Sequence, residues 1–273
     1  IINDVDIETF EDLGNYYAKD KNYAYFKGRR IIGADAASFT MNEYGIPSDQ
    51  NGAYVEGYII VGADASTIQK IPNSPYHKDK YSVYFQEIPL LGSDPKSFKV
   101  LKDPSSQTQK YGIDQNNFYQ TYFPVGNVDV NTLEVIGNGW FKDKDHVIFD
   151  NAIVSGLEPK TFQILSDSIV RDDNSVYYLY RFTSKDDRLT KINNIADTKT
   201  FKHLKFAYYA DSQNIYYMQS DFSRVKMSPL DADVKSFEIK AKGKIDNPRF
   251  ETSDDYIIRD AKGCFQKMER VKC

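Results

Sequence analysis

The chain has 273 residues, with 35 Lys and Arg against 39 Asp and Glu, a formal charge of -4, 41% hydrophobic residues, and 21 Tyr and 17 Phe beside a single Trp. This composition supports a large aromatic core and excludes wholesale disorder. No basic tract would neutralise a row of phosphates and no run approaches about 18 apolar residues, so nucleic acid, an anionic membrane surface and a spanning helix are not expected.

Ile1 opens the chain in place of Met, as expected if a leader has been removed. A short motif then recurs along the sequence. Asp6-Ile7-Glu8-Thr9-Phe10 reads as a tail without a head before it. The first full copy has the head Asp20-Lys21-Asn22-Tyr23-Ala24-Tyr25-Phe26 and ends in Gly33-Ala34-Asp35-Ala36-Ala37-Ser38-Phe39. The second runs from Asp49-Gln50-Asn51 through Tyr54 to Gly62-Ala63-Asp64 and Ile68. The third runs from Asp79 and Tyr84 to Gly92-Ser93-Asp94-Pro95-Lys96-Ser97-Phe98. Further heads start at Asp114, Asp143, Asp172 and Asp211. Their tails include Asp129 to Leu133, Glu158 to Phe162, Asp197 to Phe201 and Asp233 to Phe237. Asp254-Asp255-Tyr256-Ile257-Ile258 reads as an eighth, degenerate head.

Each position has a local physical meaning. Asp followed two residues later by Asn is turn chemistry, because a short carboxylate or amide bonds nearby backbone N–H groups. Runs such as Tyr23-Ala24-Tyr25-Phe26, Ser82-Val83-Tyr84-Phe85 and Ile215-Tyr216-Tyr217 are rich in β-formers and predict strands. Both faces of these strands are apolar, so neighbouring repeats must cover each small sheet on two sides. In Asp94-Pro95-Lys96-Ser97-Phe98 the Asp caps, the Pro suits a first helical position, and one turn presents Phe98 to the core. The expected fold is all-β: eight short tandem repeats, each a three-stranded meander plus a capped turn. The approximate units are 4–34, 35–63, 64–93, 94–128, 129–157, 158–196, 197–232 and 233–273 of one repeat-built domain. A propeller-like ring closed by the headless first tail and tailless last head is the favoured arrangement, with an open curved β-solenoid as the alternative.

The heads Asp20 to Phe26 and Asp79 to Phe85, with tails such as Asp94 to Phe98, resemble the DKNYY repeat family of bacterial proteins. The resemblance covers nearly the full chain. It implies the repeat architecture and brings no catalytic residues with it.

Phosphate loops, zinc motifs and nucleophile elbows are absent from the sequence. The carboxylate pairs Asp172-Asp173, Asp186-Asp187 and Asp254-Asp255 are sequence neighbours, whereas a glycosidase needs two carboxyls opposed across a cleft. His77, His146 and His203 lie in unrelated registers. No enzyme, cofactor or metal site is expected. Trp140 and Phe141 precede the fifth head as core members, and most tyrosines occupy repeat positions. The segments that break the pattern are Leu101 to Lys110, Arg181 to Lys191, Gln219 to Pro229 and Lys240 to Thr252. The middle two, read as loops between second and third strands, carry Arg181, Phe182, Lys185, Asp186, Asp187, Arg188, Asp221, Phe222, Arg224 and Lys226. Mixed charge around exposed Phe suits a protein-binding rim and centre. Cys264 and Cys273 close a short loop, and a disulfide there points to the periplasm or exterior. The expected function is therefore a non-enzymatic, protein-binding repeat protein of the bacterial envelope, for example an immunity or inhibitor protein. A carbohydrate-binding module or adhesin using exposed Tyr is the alternative, and a glycan-cleaving hydrolase the third reading.

Overall fold

A computed structural model describes residues 5–105, 110–180, 189–220, 225–242 and 252–273. The chain forms two compact units, Ile1–Val154 and Ser155–Cys273. Among the described residues, eight four-stranded antiparallel sheets succeed one another, each an up-and-down meander. Sheet 1 consists of Glu11–Gly14, Tyr17–Lys19, Ala24–Phe26 and Arg29–Arg30. In the same unit, sheets 2 to 5 span 40–60, 69–89, 99–125 and 134–154. In the second unit, sheets 6 to 8 span 163–192, 202–229 and 238–271.

The all-β repeat architecture is as expected, with one strand more per repeat. The residues after the capped turn are a strand: Lys99–Leu101 pairs with Tyr111–Ile113 in sheet 4. These leading strands are short and largely polar, as in Thr40–Met41 and Gln69–Lys70, so no apolar alternation announces them. The third and fourth strands are joined by tight turns. Lys27 and Gly28 both have positive φ there, as do Glu56 and Gly57, the backbone that a two-residue hairpin requires.

One buried carboxylate organises each repeat. In sheet 1, Asp20 Oδ1 accepts the N–H groups of Asn22 and Tyr23, each at 2.7 Å. Its Oδ2 accepts the N–H of Asp6 at 2.9 Å and the hydroxyl of Tyr25 at 2.7 Å. Asp49, Asp79, Asp114 and Asp211 repeat this four-donor knot, with the hydroxyls of Tyr54, Tyr84, Tyr119 and Tyr216. Asp143 and Asp260 keep the backbone donors, but His146 Nδ1 and the Arg270 guanidinium stand in for the tyrosine. Asp172 also keeps them, while Tyr177 turns its hydroxyl to the Gly156 carbonyl. Burial pushes the Asp20 carboxyl up, but its four hydrogen bonds outweigh that and bring it down to about 2. The lysine after the head pairs with the tail carboxylate: Lys21 with Asp6 at 2.5 Å, Lys80 with Asp64 at 2.7 Å and Lys144 with Asp129 at 2.8 Å. These pairs are exposed to solvent and add little to stability.

Each tail therefore belongs to the head that follows it. Asp6 is joined to Asp20, so the first tail is not headless. At the other end Asp254 and Asp255 lie in a 3-10 turn, Ser253–Asp255, and the eighth head is Asp260-Ala261-Lys262-Gly263, whose carboxylate accepts the Asp233 N–H. Both terminal sheets are thus complete within their own stretch of chain.

The sheets stack face to face within each unit. Phe39 and Tyr54 of sheet 2 pack on Tyr17, Ala24 and Ile31 of sheet 1. Ile68 and Tyr84 of sheet 3 cover Ile46, Ala53 and Ile60 of sheet 2 in the same way. Phe98 and Tyr119 cover Tyr76, Val83 and Leu90, and Phe141 and Ile148 cover Tyr111, Phe118 and Val125. In the second unit, Phe201, Tyr209 and Tyr216 pack on Ile169, Val176 and Ile192, and Ile258 and Phe265 on Tyr208, Ile215 and Leu230. In sheets 2, 3, 4 and 7 the tail apolar residue and the knot tyrosine are therefore the wedge driven into the sheet before. Polar struts reinforce the stack: Lys19 Nζ donates to the Phe39 carbonyl at 2.8 Å, and Tyr76 donates to the Lys110 carbonyl at 2.7 Å. No helix among the described residues is long and apolar enough to cross a membrane.

Candidate functional site

Arg181, Phe182, Lys185, Asp186, Asp187, Arg188, Asp221, Phe222 and Arg224 lie outside the described residues. Lys226 is exposed on Val225–Pro229, opposite Gln219. Two parts of these off-pattern segments that were read as loops are strands, because Leu189–Ile192 and Val225–Pro229 supply the fourth strands of sheets 6 and 7. The segment after Leu101 has a packing task. Asp103 is buried, accepts the Ser105 N–H at 2.8 Å and the Gly139 N–H at 3.3 Å, and so ties sheet 4 to sheet 5.

The titratable candidates are dispersed. Asp172 is buried in its knot, and Asp254 and Asp255 share the short 3-10 turn. His146 joins the Asp143 knot at 3.3 Å, and His203 Nε2 meets the Phe206 carbonyl at 2.8 Å. His77 is in sheet 3, away from both, and no cluster of metal-ligating side chains occurs among the described residues. Trp140 is buried and stacked on Phe149 with centroids 4.3 Å apart, a core member as expected. The Cys264–Cys273 disulfide is formed. Cys264 occupies the place that Ala24, Ala53 and Val83 hold in sheets 1 to 3. There those small apolar side chains lie beneath the next sheet, whereas in sheet 8 the bridge itself lies over the face.

A surface feature emerges that the off-pattern segments did not signal. After the fourth strand of sheets 1, 2 and 3 the chain makes the same four-residue turn. Ala34 N–H bonds the Ile31 carbonyl, Ala63 the Ile60 carbonyl and Ser93 the Leu90 carbonyl. Gly33, Gly62 and Gly92 take φ of +83°, +77° and +72°, which fixes glycine as the third residue of each turn. The turn places no such demand on its second residue, yet that residue is Ile32, Val61 and Leu91, exposed by 97%, 65% and 70%. Their inward neighbours Ile31, Ile60 and Leu90 are buried. Two of the turns are pinned to the next sheet, since Asn51 Nδ2 donates to the Gly33 carbonyl and Asn117 Nδ2 to the Gly92 carbonyl. Three apolar side chains are thus held in register, with exposed Ile7, Tyr23 and Tyr81 on the tails and heads at the same end of the sheets. The sequence signal was an apolar residue directly before each Gly-Ala/Ser-Asp.

Two cavities lie among the described residues of these sheets. One, of about 360 Å³, lies on sheet 8 beside the disulfide and is bordered by Lys242, Arg259, Lys267 and Lys272. The other, of about 280 Å³, opens between sheets 2 and 3 within the first unit and reaches His77.

A tandem array of four-stranded meanders, each tied by a head carboxylate to its own tail, defines a repeat scaffold. The DKNYY family model matches residues 1–109, 47–181 and 86–221, overlapping segments that share the head motif. The chain belongs to the DKNYY family. Neither a curated protein nor a solved structure matches it.

Proposed function

We propose that this chain is a non-enzymatic binding protein that presents an apolar row to another protein. The observation that carries the reading is the register of Ile32, Val61 and Leu91 at solvent-exposed turn tips where the backbone asks nothing of them. Leaving such side chains in water forgoes about 1.5 to 3 kcal/mol each, which a complementary partner surface would recover. Tyr23 and Tyr81 beside the row add the amphipathic rings that enrich the centres of protein interfaces. The described head carboxylates are saturated by structural donors, which favours a scaffold over general acid or base chemistry. The disulfide favours an oxidising compartment, and together with the family it suggests the bacterial periplasm or exterior. Neutralisation of a partner, as by an immunity or inhibitor protein, is one concrete form of this role.

The test is quantitative capture from the native host by the wild-type chain, by the triple variant Ile32→Asp, Val61→Asp, Leu91→Asp, and by the loop variant Arg188→Glu, Arg224→Glu. A partner retained by the wild type and the loop variant and lost by the triple variant supports the row. Loss with the loop variant alone transfers the site to the segments at 181–188 and 221–224.

A further inference from the structure

The cavity between sheets 2 and 3 holds a buried polar group for which the fold has no use. His77 is 5% exposed, and its Nδ1 has no hydrogen-bond partner. It stands two residues before the head Asp79, and the corresponding residues in the other sheets are Ala18, Pro47, Gly112, Phe141, Val170, Tyr209 and Ile258. None of those is ionisable near neutral pH, and most are plain packing groups. The stack is therefore built elsewhere without an imidazole, and an unsatisfied one costs about 1 to 3 kcal/mol. The cavity supplies surroundings suited to a ligand. Lys70 lies directly across the strand pair from His77, Glu56 and Gln86 are exposed at the border, and Glu87 is half-buried. Tyr58, 67% exposed, stands at the same mouth.

We infer that this cavity is a subsite for one pyranose ring of a glycan, with His77, Lys70, Glu56 and Glu87 bonding its hydroxyls and Tyr58 stacking on its face. At about 280 Å³ it lies just below the roughly 300 Å³ at which small-molecule sites begin, which suits a single ring. Burial, then the nearby Lys70 charge, lowers the imidazole to about 4, so at neutral pH the ring is uncharged, and with Nδ1 sealed from solvent its other nitrogen is the one left to serve a hydroxyl. Lysine donates only and carboxylates accept only. A set that mixes both senses in a small space matches hydroxyl groups, each of which gives one hydrogen bond and receives others. The negative face of the Tyr58 ring attracts the weakly positive C–H face of a sugar. A divalent cation is a poor fit, since no group of three metal-ligating side chains converges among the described residues.

Saturation-transfer NMR on the full chain tests this, with the methyl glycosides of glucose and N-acetylglucosamine as probes and glycine as the zwitterionic control. One sugar should bind with Kd of about 1 mM, the range open to about a dozen heavy atoms. Tyr58→Ala and His77→Ala should each weaken it about tenfold or more, His77→Gln should recover part of the loss, and Tyr16→Ala, an exposed tyrosine of sheet 1 that does not line the cavity, should leave it unchanged. Ala18 fills the place of His77 in sheet 1, so His77→Ala should fold. Absence of saturable sugar binding below about 10 mM, equal binding by the His77 and Tyr58 variants, or glycine binding in preference to sugar would each overturn the inference.

Discussion

Replacing Asp49 by Ala should reveal how much one head carboxylate contributes. The side chain accepts four hydrogen bonds, from Asn51 N–H at 2.7 Å, Gly52 N–H at 3.1 Å, Asp35 N–H at 2.6 Å and the Tyr54 hydroxyl at 2.8 Å. Bonds to a charged acceptor contribute about 1.5 to 3 kcal/mol each. Asn51 is exposed, so water can replace part of the loss at the head turn, whereas Tyr54 is 2% exposed and its hydroxyl would be stranded. The expected cost is about 3 to 5 kcal/mol. Tyr54→Phe removes one of the four and should cost about 1.5 to 3 kcal/mol, at the lower end because no partner is left charged and unpaired. Asp49→Asn falls between, because its carbonyl can still serve the head turn while its amide group meets the Asp35 N–H donor to donor. Urea unfolding followed by circular dichroism gives the totals, and native-state hydrogen exchange shows whether sheet 2 loosens before its neighbours, as a nearest-neighbour array requires. An Asp49→Ala cost no larger than that of Tyr54→Phe would refute the knot as the organising element.

Phe98→Ala should cost about 3 to 5 kcal/mol through a core cavity. Gly112→Ala should cost about 1 to 3 kcal/mol, because its new Cβ would clash with the Phe98 ring while Tyr76 and Tyr119 confine that ring; in the Phe98→Ala background the penalty should vanish, and persistence there would contradict the packing. His77 resists protonation until about pH 4, against 6.5 in the unfolded chain, with Lys70, Glu56 and Glu87 the charges around it. The unfolded state therefore binds the extra proton in that window, and stability should fall by about 1.4 kcal/mol per pH unit as pH drops from 6.5 towards 4. Urea midpoints at both ends of the window should show this dependence lessened in His77→Ala, and an identical pH dependence would refute it. Alkylation of the unfolded, unreduced chain should add no mass at Cys264 and Cys273, and reduction should speed exchange first in Gly263–Gln266; addition of two groups would eliminate the bridge.

The heads were legible because Asp, Asn and the following aromatic run are short-range turn and strand chemistry. The link from each head back to a tail was less visible, although most head carboxylates lie 14 or 15 residues after the tail residue they hold. Asp254-Asp255 imitated a head because two acidic residues precede Tyr256-Ile257-Ile258. Asp260-Ala261-Lys262-Gly263 shares with Asp49-Gln50-Asn51-Gly52 the glycine third after the Asp, but Phe265 has lost the knot hydroxyl and Arg270 supplies the contact from ten residues away. The leading strands were hidden because residues such as Gln69-Lys70 are polar and pair at the sheet edge. Of the binding surface, length irregularity directed attention to 181–191 and 219–229. Ile32, Val61 and Leu91 lie within the regular pattern and differ from core residues only in being one step beyond the buried Ile31, Ile60 and Leu90.

Site-specific photocrosslinking in the native host addresses the proposed role most directly. A photoreactive amino acid in place of Val61 should yield one discrete adduct with another protein, while the same group in place of Lys226, exposed on sheet 7, should yield none. An adduct at Lys226 with none at Val61 would contradict the account.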